Sequence, residues 1–116
     1  MIDDYVSWNS VEAYRKLEKA SQDWSEWQKK TIILESGKKA MFSKCFLKHK
    51  LESKTVIEAE HKARLDPEYV DIVKQYAESE QELIKARFHY NNLDKYLSLK
   101  QSELKRDLAL NVKQPN

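Results

Sequence analysis

Three histidines, one cysteine and nineteen carboxylates are the side chains of this 116-residue chain that invite a search for chemistry. Glu58-Ala-Glu60-His61 has the Glu-x-x-His spacing that points two metal ligands to one helix face. A di-iron bundle needs a second copy of that motif and two further Glu. His89 is preceded three positions back by Ala86, and His49 by Phe46, so the second copy is missing. Glu58 and His61 therefore read as part of a solvated helix face, and no metal is expected. Cys45 falls on an apolar stripe and reads as a small core residue rather than a nucleophile. Ser43, Ser53 and the acid cluster Glu78, Glu80 and Glu82 lack the partners of a triad or an acid/base pair. Gly37 is the only glycine, which excludes a phosphate-cradling loop and a dinucleotide fingerprint. The expectation is a protein without catalytic residues or cofactor.

Charge is more informative than any of these candidates. Residues 1–28 carry six acids and three bases, residues 29–54 eight lysines and two acids, and residues 55–116 eleven acids and ten bases. The corresponding net charges are −3, +6 and −1, so a total of +2 conceals one basic segment. That segment holds Lys29, Lys30, Lys38, Lys39, Lys44, Lys48, Lys50 and Lys54, interleaved with Phe42, Phe46 and His49. Lysines attract phosphates without reading sequence, and aromatic rings stack on unpaired bases. The combination predicts nonspecific binding to single-stranded DNA, with RNA as an alternative ligand. The competing interpretation is that the lysines form a solvated helix face and that Phe42 and Phe46 belong to the core.

These residues must be held by helices. With one Gly, two Pro and 41% apolar positions, the composition suits long helices bearing one buried stripe. Asn9 and Glu12 have capping-box spacing and start a first helix of about 10–51. Its stripe is Ala13, Leu17, Ala20, Trp24, Trp27, Thr31, Leu34, Lys38, Met41 and Cys45, in alternating steps of three and four. Ile32, Ile33, Phe42, Phe46 and Leu47 widen that apolar face, and Gly37 marks a kink, a weak spot or a break. Thr55 and Glu58 open a short helix of about 55–65. Asp66-Pro67-Glu68 then starts a second long helix of about 67–110. Its stripe is Tyr69, Ile72, Tyr76, Ser79, Leu83, Ala86, Tyr90, Leu93, Leu97, Lys100 and Leu104, and the polar end 111–116 is expected to fray.

The predicted fold is all-α: one domain built as a long antiparallel, coiled-coil-like helical hairpin with a short linking helix. Trp24, Trp27, Tyr69, Tyr76 and Tyr90 supply more apolar area than one facing helix would cover, which predicts an oligomer interface at those residues. No apolar run reaches the length of a membrane span, and the start Met1-Ile-Asp-Asp lacks a signal peptide's basic and apolar regions. A single cysteine suits a reducing compartment, so the expected location is cytoplasmic, with no membrane partner.

A Trp-bearing first helix, a Lys-rich middle, the segment Ser53-Lys-Thr-Val-Ile-Glu-Ala-Glu60 and a long Tyr-containing last helix resemble small phage proteins of replication and recombination. Ile57-Glu-Ala-Glu60 and Lys62-Ala-Arg64-Leu-Asp66 are similar to a stretch of the UvsY-type recombination mediators of T-even phages. The resemblance implies an all-helical oligomer in the host cytoplasm that binds single-stranded DNA and helps load a recombinase in place of the single-strand-binding protein. It also implies a DNA role for Lys62 and Arg64. The complete expected DNA-binding set is Lys38, Lys39, Lys44, Lys48, Lys50, Lys54, Lys62 and Arg64. The alternative is a coiled-coil adaptor or inhibitor that captures another protein and binds no nucleic acid.

Overall fold

Asn9 is the first residue that the computed structural model describes; the description runs through Lys113. The acidic start and the last three residues lie outside it. Asn9 Oδ1 accepts from the backbone N–H groups of Val11 (3.0 Å) and Glu12 (3.2 Å), satisfying two donors that a helix start leaves open. Helix α1 (Ser10–Lys50) follows. It closes with Ser53 Oγ donating to the His49 carbonyl at 2.7 Å. Thr55 caps α2 (Val56–Leu65) by accepting from Glu58 N–H at 3.1 Å, and Glu58 reaches back to the backbone N–H of Lys54. Asp66 ends α2 and starts α3 (Pro67–Lys113), its Oδ1 accepting from Glu68 N–H at 3.0 Å. Among the described residues there are three helices and no strand: the fold is all-α. Helix α3 is described through Lys113, three residues past the expected end at 110.

Contacts divide the molecule into two units. In the first, α1 up to Trp24 pairs with α3 from Ala86 onward. Trp24 meets Tyr90 with ring centroids 5.3 Å apart, and Gln101 Nε2 donates to the Tyr14 hydroxyl. Residue numbers rise along one helix as they fall along the other, so the pairing is antiparallel. Ala20 and Leu97 are its buried apolar residues.

The second unit, Ser25–Lys85, is also an antiparallel pair, with α2 added. Thr31 meets Ser79, Gly37 meets Ile72, and Phe42 meets Tyr69. Helix α1 runs unbroken through Gly37. A Cβ there would stand 3.1 Å from Ile72 Cδ1, so the missing side chain permits close approach of α3 rather than a turn. Ala59 and Ala63 are both 0% exposed and lie four positions apart, so they mark the packed face of α2. Every stripe position expected on α1 and α3 is buried or half-buried. Ile32, Ile33 and Leu47 are a correction: they do not widen the packed face but are exposed, each lying outside the 3-4 stripe.

Thr31 and Ser79 form a polar contact inside this apolar seam. Thr31 Oγ1 donates to the Trp27 carbonyl at 2.7 Å, so its lone pair receives the Ser79 hydroxyl proton. Thr31→Val leaves the buried Ser79 hydroxyl without that acceptor. It is expected to lower stability by about 1–2 kcal/mol in urea unfolding. The double variant Thr31→Val/Ser79→Ala should lie closer to the native protein than the additive value. Strict additivity would remove the contact from the stabilising set.

Candidate nucleic-acid interface

Within the second unit the basic segment is not uniformly solvated. Lys38, Lys39, Phe42 and Ser43 lie at i, i+1, i+4 and i+5 of α1, a spacing that gathers them on adjoining strips of one helix face. Arg64 at the end of α2 and Tyr69 in the first turns of α3 complete a groove of about 420 Å³. Phe42 and Tyr69 meet edge to face, with centroids 5.5 Å apart and planes at 65°. Phe46 stacks on Phe42 at 6.5 Å, and the Arg64 guanidinium stands 5.9 Å from the Phe42 centroid. Lys38 Nζ lies 4.3 Å from the Tyr76 centroid, a cation–π contact that fixes this lysine beside the groove. The Tyr76 hydroxyl keeps its proton more firmly than usual, because it is hydrogen-bonded to Glu80 and partly desolvated.

The remaining expected cations are placed differently. Lys44 pairs with Glu68 at 3.2 Å, Lys48 with Asp66 at 3.4 Å, and Lys62 with Glu58 at 3.3 Å. Those three are partly neutralised by acids of α2 and the start of α3. Lys50 and Lys54 are exposed near the α1–α2 connection. Lys38, Lys39 and Arg64 are thus the members of the set that share one groove, and no carboxylate among the described residues lines it.

Two other recesses differ in charge. One of about 410 Å³ mixes Lys30 with Glu78 and Glu82 beside Trp27, and a smaller one sets Lys16, Lys19 and His89 around Asp23. Each includes an acid that opposes a phosphate.

The aromatics expected at an oligomer interface sit in the intramolecular seam. Trp24 and Tyr90 cover each other, Tyr69 packs on Phe42, Tyr76 lies under Lys38, and Trp27 lies near Lys30 at 4.9 Å. All five are half-buried, so much of the area assigned to a partner is covered within the chain.

A polar hub adjoins the groove. Asp66, 4% exposed, accepts from His49 Nε2 at 2.8 Å and from Lys48 Nζ. Together with the Glu68 backbone N–H, these donors hold its carboxyl down at about 2, His49 contributing most. An ionised carboxylate only accepts, so His49 carries its proton on Nε2. Its Nδ1 is buried without a hydrogen-bond partner among the described residues. Cys45, 1% exposed, is pushed up first by burial and then by the charges of Asp66 and Glu68, so it stays a thiol. Glu58 of the Glu-x-x-His motif is occupied by Lys54 N–H and Lys62, while His61 is exposed.

The pattern in the sequence located Lys38, Lys39 and Phe42 as candidates. Arg64 is expected from the resemblance alone, and the sequence places Tyr69 at an oligomer interface. Their convergence on α1 carries no local signal, since it depends on how α2 turns back at Asp66. No protein-family model matches the chain, and no curated protein or solved structure matches it.

Proposed function

We propose that this protein binds single-stranded DNA as a non-catalytic accessory factor of phage-type recombination or replication, in the manner of a recombination mediator. One observation carries the reading: Lys38, Lys39 and Arg64, from two different helices, converge on an aromatic groove that no carboxylate among the described residues lines. Cations supply the attraction to phosphate, and rings supply sequence-tolerant contact with bases. Lys50 and Lys54 are further exposed cations outside the groove, whereas Lys44, Lys48 and Lys62 contribute less because acids already oppose them. The resemblance to the UvsY-type mediators adds the expectation of a homo-oligomer that works with a recombinase or a single-strand-binding protein. Fluorescence anisotropy with a labelled oligothymidylate at low salt tests the reading. Binding that exceeds binding to a duplex of equal length supports it, and absence of binding contradicts it.

A second reading, a protein-capturing adaptor, is favoured by Leu47, Leu51, Val56, Ile57 and Leu65. All are more than half exposed, and Leu51 reaches 91%. An adaptor of that kind would show no affinity for oligonucleotides and would keep its activity after charge reversal in the groove.

A further inference from the structure

The groove has more structure than phosphate attraction requires. A set of lysines alone neutralises a backbone and holds paired and unpaired strands by the same means. Here the cations flank rings: Phe42 and Tyr69 line the groove, and the Arg64 guanidinium lies over Phe42. At about 420 Å³ the recess falls within the range of small-molecule sites, roughly 300–1,000 Å³. It therefore has room for a discrete chemical group.

We infer that this groove seats one unpaired base of a bound strand, stacked among Phe42, Tyr69 and Arg64, while Lys38 and Lys39 hold the phosphates beside it. The inference rests on the single-strand reading above and assigns its contact unit. Three observations support it. Aromatic and guanidinium planes are the surfaces on which splayed bases stack, and the groove contains both kinds. Arg64 is exposed and Phe42 half-buried, so a base joins an existing cation–ring pair without unfolding the seam. The Glu68 carboxylate, next in sequence to Tyr69, pairs with Lys44 at 3.2 Å and is not among the residues that line the groove. A base inside a duplex hides both faces in its own stack, so the site discriminates against double strands through geometry rather than charge.

The test compares two strands of equal length and equal charge: an oligothymidylate and the same backbone with abasic tetrahydrofuran units. Anisotropy titrations at low salt should show the base-bearing strand binding native protein roughly 5- to 150-fold more tightly, the range of one base–aromatic stack. Phe42→Leu keeps an apolar side chain but removes the ring, and should shrink that ratio toward one by weakening the base-bearing strand more than the abasic one. Tyr69→Leu is the second variant, and helicity by circular dichroism verifies that each one folds. Equal affinity of native protein for the two strands overturns the base seat and leaves the single-strand reading standing. Failure of both strands to bind overturns the two together.

Discussion

Lys39→Glu combined with Arg64→Glu is expected to weaken binding to single-stranded DNA by roughly 100-fold near 50 mM salt. Each phosphate contact to a single strand contributes about 0.7 to the exponent of the salt dependence, or roughly 8-fold between 1 M and 50 mM salt. Two lost contacts multiply to about 60-fold, and the introduced carboxylates add repulsion. Both side chains are exposed, so the helices are left intact. The control is Arg87→Glu with Lys105→Glu, which makes the same change in net charge at exposed positions of α3 in the other unit. If the control loses as much affinity as the groove variant, attraction is a property of the total charge and the groove has no special role.

Asp66→Ala is expected to cause a larger loss of thermal stability than any other single polar substitution. Asn9→Ala or Thr55→Ala each removes one cap, at about 1 kcal/mol. Asp66 caps α3 through Glu68 N–H and also accepts from His49 and Lys48, so its removal opens a helix start and strands a histidine on the seam. The same carboxylate sets an acid limit. Its pKa is lowered from 3.8 to about 2, so its stabilising contribution is complete above the ordinary value and disappears as pH falls from about 4 through 2. Glu58, also lowered, first by Lys54 N–H and then by Lys62, acts in the same direction below its ordinary 4.5. Thermal melts by circular dichroism between pH 2 and 6 should show native stability falling across that window, with a shallower fall for Asp66→Asn. Parallel profiles for the two proteins would assign the acid limit to other groups.

Much of the fold is legible from period and punctuation. Ten positions of α1 and eleven of α3 follow a helical repeat, and each is buried or half-buried. Asn9, Thr55 and Asp66 stand where a side-chain oxygen meets open N–H groups, a local chemistry that needs no tertiary information. Ile33 and Leu47 show the limit of composition: apolar character does not place a residue on the buried side when the repeat does not. Ala59 and Ala63 show another, because the closeness of α2 depends on its packing against the long helices and not on its own pattern. The hub at Asp66 joins residues 17 and 18 positions apart around the α1–α2–α3 turn. The groove draws on three helices: the charge pattern locates its lysines and the resemblance its arginine, but neither places Tyr69 beside them.

Uptake of a single strand by cations gathered beside an aromatic groove underlies the proposed function. Its most direct test is the dissociation constant for a labelled oligothymidylate, measured by anisotropy from 25 to about 300 mM salt. Three to five participating cations give a slope of log association constant against log salt between about −2 and −3.5. Lys39→Glu/Arg64→Glu should flatten that slope by about 1.4. A native slope near zero, or one that the double substitution leaves unchanged, would contradict the claim.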